Sequence, residues 1–111
     1  MKLDKSREMY VRARRSMPGG VSSNVRLVES PHPLYFESAM GSHITDVDGN
    51  QYVDYVLGQG PMIFGHSPSF LLDAVAEASK KGQLFAGQHL LEIEVAELAR
   101  ELVPSAEIVR F

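Results

Sequence analysis

Acidic side chains alternate in the stretch DVDGN, residues 46–50, and alternating oxygen ligands are what a calcium loop needs. Such a loop also needs glycine at its sixth place and a bidentate glutamate at its twelfth. Counting from Asp46, those places hold Gln51 and Leu57, so calcium is not supported. A second candidate is Arg26, in a polar stretch beside Ser22, Ser23 and Asn24, with apolar Val25 and Leu27 as its neighbours. A guanidinium fork near hydroxyl groups suits a carboxylate or a phosphate. A solvated surface arginine is the alternative, and residue types leave both readings open.

Other chemistries find less support. The histidines, at 32, 43, 66 and 89, show no HxxxH spacing and no convincing carboxylate–histidine cluster, which argues against a metal site. No GxSxG elbow presents a serine nucleophile, and GQGPMIFG is not the GxGxxG of a dinucleotide cradle. A Schiff-base lysine must be held unprotonated by burial or a neighbouring cation. Lys2 and Lys5 lie in a charged N-terminal segment, and Lys80 and Lys81 lie at a solvated helix end; none suits that role.

Composition narrows the class. The 111 residues suffice for one small domain with a modest core. A net charge of −3 gives no global attraction to nucleic acid or anionic lipid, so neither is expected as a partner. The absence of cysteine excludes disulfide scaffolds, thiolate zinc sites and thiol nucleophiles, and a cytoplasmic location is expected. The opening MKLDKSREMYVRARRSM lacks the apolar block of a secretory signal, and its Asp4 and Glu8 favour a partly solvated helix over a targeting segment. Arg12, Arg14 and Arg15 come without an aromatic stacking platform, so they read as a solvated or interface face rather than a nucleic-acid patch.

These candidates need elements to hold them. The pattern predicts a helix over 4–16, with Asp4 as N-cap and Pro18-Gly19-Gly20 as its stop. Residues 21–33 form a long polar connection. LYFESAM, HITDV and QYVDYVL alternate β-branched and aromatic residues around the Asp-Gly-Asn tip, predicting a small antiparallel meander with DVDGN as a turn. Residues 58–66 read as a shaped glycine-rich loop. A helix is predicted over 67–81, with Ser67 as N-cap, and another over 89–102. EIVRF, residues 107–111, has strand character. The fold class is α/β, in segments 1–32, 33–66 and 67–111. Its thin core reads like the opening portion of a larger α/β protein.

Taken in order, PGGVSSNVR, GSHITDVDGNQYVDYVLGQGPMIFGH and LLEIEVAELARELVPSAEIVRF resemble the start of class III (fold type I) pyridoxal-phosphate aminotransferases. Within that class the chain is most similar to the glutamate-1-semialdehyde 2,1-aminomutases, from about Met17 to Phe111. The resemblance implies an enzyme that moves an amino group between an amino acid or amino aldehyde and pyridoxal 5′-phosphate (PLP), as a homodimer. Chains of that family are several times longer. Their phosphate-binding stretch and cofactor lysine fall after the segment matching EIVRF, so this chain alone is expected to be inactive, with no catalytic or cofactor-binding residue assigned. Ser23 and Arg26 match the substrate-contacting serine and arginine of the family's PGGVNSPVR motif. Gln59 stands where the aminomutase has a tryptophan lining the substrate pocket. That departure, with Ser22 for asparagine and Asn24 for proline, leaves the substrate open. FAGQHLLE also resembles class III enzymes acting on β-amino acids, and a non-catalytic interaction module is a further alternative. The resemblance makes the DVDGN hairpin a scaffold that positions the PMIFGH loop.

Overall fold

A computed structural model describes all residues from Met1 to Phe111. Helix α1 (Asp4–Ala13) is followed by two short 3-10 turns, Pro18–Gly20 and Asn24–Val28. Strands β1 (Phe36–Met40), β2 (His43–Asp46) and β3 (Gln51–Val53) form an antiparallel sheet in the order β1-β2-β3. A third 3-10 turn at Leu57–Gln59 precedes α2 (Ser69–Ser79) and α3 (Leu90–Leu102). Two compact units result, Met1–Leu72 and Asp73–Phe111, where composition suggested one small domain. Segments 1–32 and 33–66, distinguished in the sequence, lie together in the first. No helix is long and apolar enough to cross a membrane.

The meander follows the predicted alternation. Ile44 faces Tyr52 across β2 and β3, and Ala39 faces Ile44 across β1 and β2. A bulge between Phe36 and Ser38 shifts the β1 register, and the Phe36 ring meets Tyr52 edge-on at 6.2 Å between centroids. Such cross-strand aromatic contacts add stability beyond simple area burial.

The hairpin tip is more than a turn. Asp46 is fully buried, and its Oδ1 accepts from the Asp48 and Asn50 amides at 3.0 and 2.8 Å. Its Oδ2 accepts from Asn50 Nδ2 and the Tyr52 hydroxyl, each at 2.7 Å. A buried carboxylate is tolerated only when its charge is met in this way. Asn50 Nδ2 also donates to the Lys2 carbonyl at 2.6 Å, tying the N-terminal segment to the tip.

Asp48 completes that tie. Its carboxylate accepts from the Lys5 and Ser6 amides at 2.8 and 2.9 Å, two N–H groups that the first turn of α1 leaves unpaired. Asp4, expected to cap this helix, lies inside its first turn, and the N-cap place is Leu3, whose side chain makes no capping bond. A carboxylate more than forty residues away in the chain therefore does what a local N-cap usually does. Farther along the unit, Tyr10 stacks on His32 at 6.2 Å and Arg14 lies over the Tyr10 ring at 5.9 Å.

Three further expectations change. Ser67 does not cap α2: its φ is +53°, and its hydroxyl donates to the Ala39 carbonyl at 3.0 Å. That bond holds the incoming chain against β1 instead. Helix α3 begins one residue later than expected, because His89 is its cap. Its Nδ1 accepts from the Leu91 amide while its own amide donates to Glu92 Oε1, both at 3.1 Å. Finally, 107–111 join no strand ladder. Strand character is realised only by pairing, and the Asp73–Phe111 unit holds no other strand to supply it.

Apolar burial contributes little here. Ala13 is the buried hydrophobic residue, while Phe64, Phe70, Leu71, Leu91, Val95 and Leu98 are among many large apolar side chains left exposed. The stripes of α2 and α3 form as read, but each unit by itself leaves them uncovered. Polar bonding thus carries an unusual share of the order in the first unit.

Burial pushes the Asp46 carboxyl up, but hydrogen bonds from Asn50, Tyr52 and Asp48 outweigh it and leave the group below its ordinary value. Asp48 is likewise lowered, with the Lys5 and Ser6 amides prevailing over desolvation. A carboxyl lowered by folding contributes order that is complete above its unfolded value of about 4 and is lost as pH falls through the folded one. Amide exchange, corrected for intrinsic rates, should show Lys5, Ser6, Asp48 and Asn50 fully protected from pH 7 to about 4 and losing that protection progressively as pH falls further, through the lowered folded values. At pH 7, Asp46→Ala should speed exchange at these four amides by at least about tenfold. Unchanged rates in that variant would remove Asp46 from the centre of the unit.

Candidate functional site

Arg26 sits in the Asn24–Val28 turn, on a loop held at both ends by α1. At the N-terminal end Gly20 is buried against the helix. A Cβ there would meet Arg14 Cγ and Tyr10 Cε2 at 2.8 Å each, and the residue has φ +77°, so only glycine allows the close approach. At the other end buried His32, stacked on Tyr10, donates from Nδ1 to the Pro33 carbonyl at 3.1 Å. A carbonyl can only accept, which places the proton on Nδ1. The intervening residues form a short turn closed by the Arg26 amide on the Ser23 carbonyl at 3.1 Å.

The side chains on this turn are available. Arg26 is exposed and makes no ion pair and no side-chain hydrogen bond. It lines a concavity of about 430 Å³ whose other walls include Val21, Leu34, Tyr35 and Phe36. Glu29 lies on the same concavity but gives Oε2 to the Leu34 amide at 2.8 Å, so its charge serves the loop backbone. The result is an exposed guanidinium without an ion-pair partner on a concavity of mixed polar and apolar walls, and such a group can bind a small carboxylate through two parallel hydrogen bonds.

Ser23 is half-buried and forms no capping bond. It lines an adjoining concavity of about 570 Å³ with Pro18, Asn24 and Leu27, and Ser22 borders both. Ser23 and Arg26 thus share a turn without sharing one cavity.

Gln59 belongs to a different segment, the exposed loop between β3 and α2. That loop is organised by a pair that residue spacing did not reveal. His66 Nε2 donates to Asp54 Oδ2 at 2.7 Å, and both side chains are largely buried, 18% and 6% exposed. Asp54 Oδ1 accepts from the Val56 and Leu57 amides at 2.8 and 3.0 Å. The His66 hydrogen bond first, then these amides, hold the Asp54 carboxyl below its ordinary value. Twelve residues separate the partners, too far for any local spacing rule. The only available hint was that a histidine and an aspartate flank the same glycine-rich loop.

The backbone of His66 bridges to Gly41, donating to its carbonyl at 2.8 Å and accepting from its amide at 2.9 Å. Gly65 makes that bridge possible, since a Cβ there would lie 2.9 Å from the Gly41 carbonyl oxygen. No group of three or more His, Asp or Glu side chains is arranged to hold a metal ion.

Residues for a covalent cofactor can be tested on the same grounds. Lys2, Lys5, Lys80 and Lys81 are all exposed, and Lys80 pairs with Glu77. None of the four lysines is held in a buried site.

No family model matches. The glutamate-1-semialdehyde 2,1-aminomutase of Archaeoglobus fulgidus is 48% identical over 111 residues, all of this chain and 26% of that protein. Among solved structures, a transaminase with PLP bound superposes with a TM-score of 0.87 at 34% identity, over 96% of this chain and 25% of that one. A β-phenylalanine aminotransferase from Variovorax paradoxus gives 0.86 at 33%, covering 95% and 24%. A glutamate-1-semialdehyde aminomutase from Pseudomonas aeruginosa PAO1 gives 0.76 at 32%, covering 87% and 22%. The chain spans about a quarter of the length of the proteins it matches. In sequence over its whole length, and in fold, the chain matches the N-terminal part of glutamate-1-semialdehyde 2,1-aminomutases and PLP-dependent transaminases.

Proposed function

We propose that this chain is the substrate-side wall of a PLP-dependent aminotransferase or aminomutase of the glutamate-1-semialdehyde aminomutase type. The observation carrying this reading is Arg26, an exposed cation without an ion-pair partner on a concavity of mixed polar and apolar walls. Its fork binds the substrate carboxylate, and Ser23, on the same turn but lining the adjoining concavity, contacts another part of the substrate. Gln59 shapes a separate part of the wall. When bound in the complete enzyme, PLP serves as the electron sink for amino-group transfer. This chain's residues bind and orient the amino acid or amino aldehyde. The anchoring lysine lies outside these 111 residues, the complete enzyme is a homodimer, and it works in the cytoplasm.

A second reading keeps the family and changes the substrate to a β-amino acid. It is favoured by the higher TM-score against the β-phenylalanine aminotransferase than against the Pseudomonas aminomutase, at nearly equal identity. Gln59, where the resemblance places an aromatic pocket wall, is compatible with either substrate.

In the full-length enzyme carrying this segment, Arg26→Ala should raise KM for the amino substrate by about ten- to hundredfold. That is the range of a charge-assisted bidentate contact. PLP affinity should not change, and Arg26→Lys should recover only part of the loss. Unaltered steady-state constants would remove Arg26 from the site. Profiling α- against β-amino acids in the same assay decides between the two substrates. The isolated chain mixed with PLP should develop no stoichiometric protein-bound absorbance. A band abolished by replacing one of its lysines would overturn the assignment of the anchor elsewhere.

A further inference from the structure

Residues 57–60 hold the chain's longest run of left-handed backbone, with φ of +53° at Leu57, +62° at Gly58, +68° at Gln59 and +116° at Gly60. Leu57 and Gln59 carry side chains that disfavour this region. Such a conformation persists only where the surroundings over-determine it.

Asp54 supplies the constraint. One carboxylate oxygen takes the amides entering the run, Val56 and Leu57, and the other takes His66 at the loop's exit. Both ends are in turn fixed to the β1–β2 connection. The Asp54 amide donates to the Ser42 carbonyl at 2.8 Å, and His66 forms its paired bridge with Gly41. Within the run, the Gln59 amide donates to the Val56 carbonyl at 2.8 Å and the Gly60 amide to the Leu57 carbonyl at 3.0 Å. The loop is a closed ring of hydrogen bonds whose two ends meet on a single side chain.

No nucleophile lies within hydrogen-bond reach of His66. Its recorded side-chain partner is Asp54, while the Ser42 hydroxyl pairs with His43 instead. The pair has the geometry of a clasp and lacks the third member of a catalytic relay.

We propose that Asp54 and His66 are positioning residues: they hold Gln59 in its left-handed conformation and thereby set which substrates the pocket accepts, without touching substrate. The specificity half of this statement rests on the reading of Gln59 as pocket wall. The clasp half rests on geometry alone.

Two measurements separate these halves. In the 111-residue chain, Asp54→Ala and His66→Ala should speed amide exchange at Gln59 and Gly60 by at least about tenfold, leaving Asp48 and Asn50 within about twofold. His66→Gln, whose side-chain amide can donate from nearly the same place as Nε2, should stay close to the parent rates. A uniform rise across all four amides, no rise at Gln59, or no rescue by glutamine overturns the clasp.

In the full-length enzyme, Gln59→Ala and His66→Ala should each change the ratio of kcat/KM between a small and a bulky amino substrate. The double variant should match Gln59→Ala alone, because residues acting through one group are not additive. Fully additive effects overturn the positioning role. An unchanged ratio in Gln59→Ala overturns the pocket-wall reading and the specificity claim with it, whatever the exchange rates show.

Discussion

A carboxylate with no solvent-exposed surface must have its charge answered by neighbouring donors, and around Asp46 those donors are the hairpin itself. Two backbone amides, an asparagine amide and a tyrosine hydroxyl converge on its oxygens. The same tip then reaches the N-terminal segment through Asn50 on the Lys2 carbonyl and Asp48 on the first turn of α1. With Ala13 as the buried hydrophobic residue, the first unit is held less by an oily interior than by this polar hub. Hydrogen bonds to charged groups are stronger than neutral ones and costly to leave unmade.

The candidate site inherits its geometry from that hub. Asp46 and Asp48 fix α1 to the sheet. Helix α1 in turn offers Tyr10 and Arg14 as the surface on which Gly20 and His32 close the Arg26 loop. On the other edge, β3 delivers Asp54 to the start of the Gln59 loop, and the β1–β2 connection receives His66 at its end. Arg26 and Gln59, distant in sequence and differently built, thus both depend on strands only a few residues long. The scaffold commits Asp46, Asp48 and Asp54 to internal hydrogen bonds, while the exposed Arg26 guanidinium makes no ion pair.

The exposed apolar stripes of α2 and α3 belong to the same picture. A chain spanning about a quarter of its relatives' length carries amphipathic helices whose hydrophobic faces are not covered within their own unit. Large apolar surface left in water is costly. The polar hub, by contrast, is satisfied within the chain. Local order and full burial are therefore separable properties of this molecule.

Much of the architecture was legible in the residues because its causes are local. Period-two alternation in FESAM, HITD and QYV marks strands, the spacing of Leu91, Val95, Leu98 and Leu102 marks a helix, and Asp-Gly-Asn marks a turn. Arg26 stood out for a similar reason, as a lone cation among small polar residues. What the residues could not disclose were contacts between segments far apart in the chain. Asp48 rather than Asp4 meets the α1 amides, Ser67 turns to Ala39 rather than to α2, and Asp54 finds His66 across a loop. Strand character in EIVRF likewise remained unrealised, since a ladder requires a second strand. Sequence alone determined which segments could be helix, strand or turn, because those preferences arise within a few residues. Only the tertiary structure decided which side chain satisfies which backbone group, because a hydrogen bond depends on distance in space and is indifferent to distance along the chain.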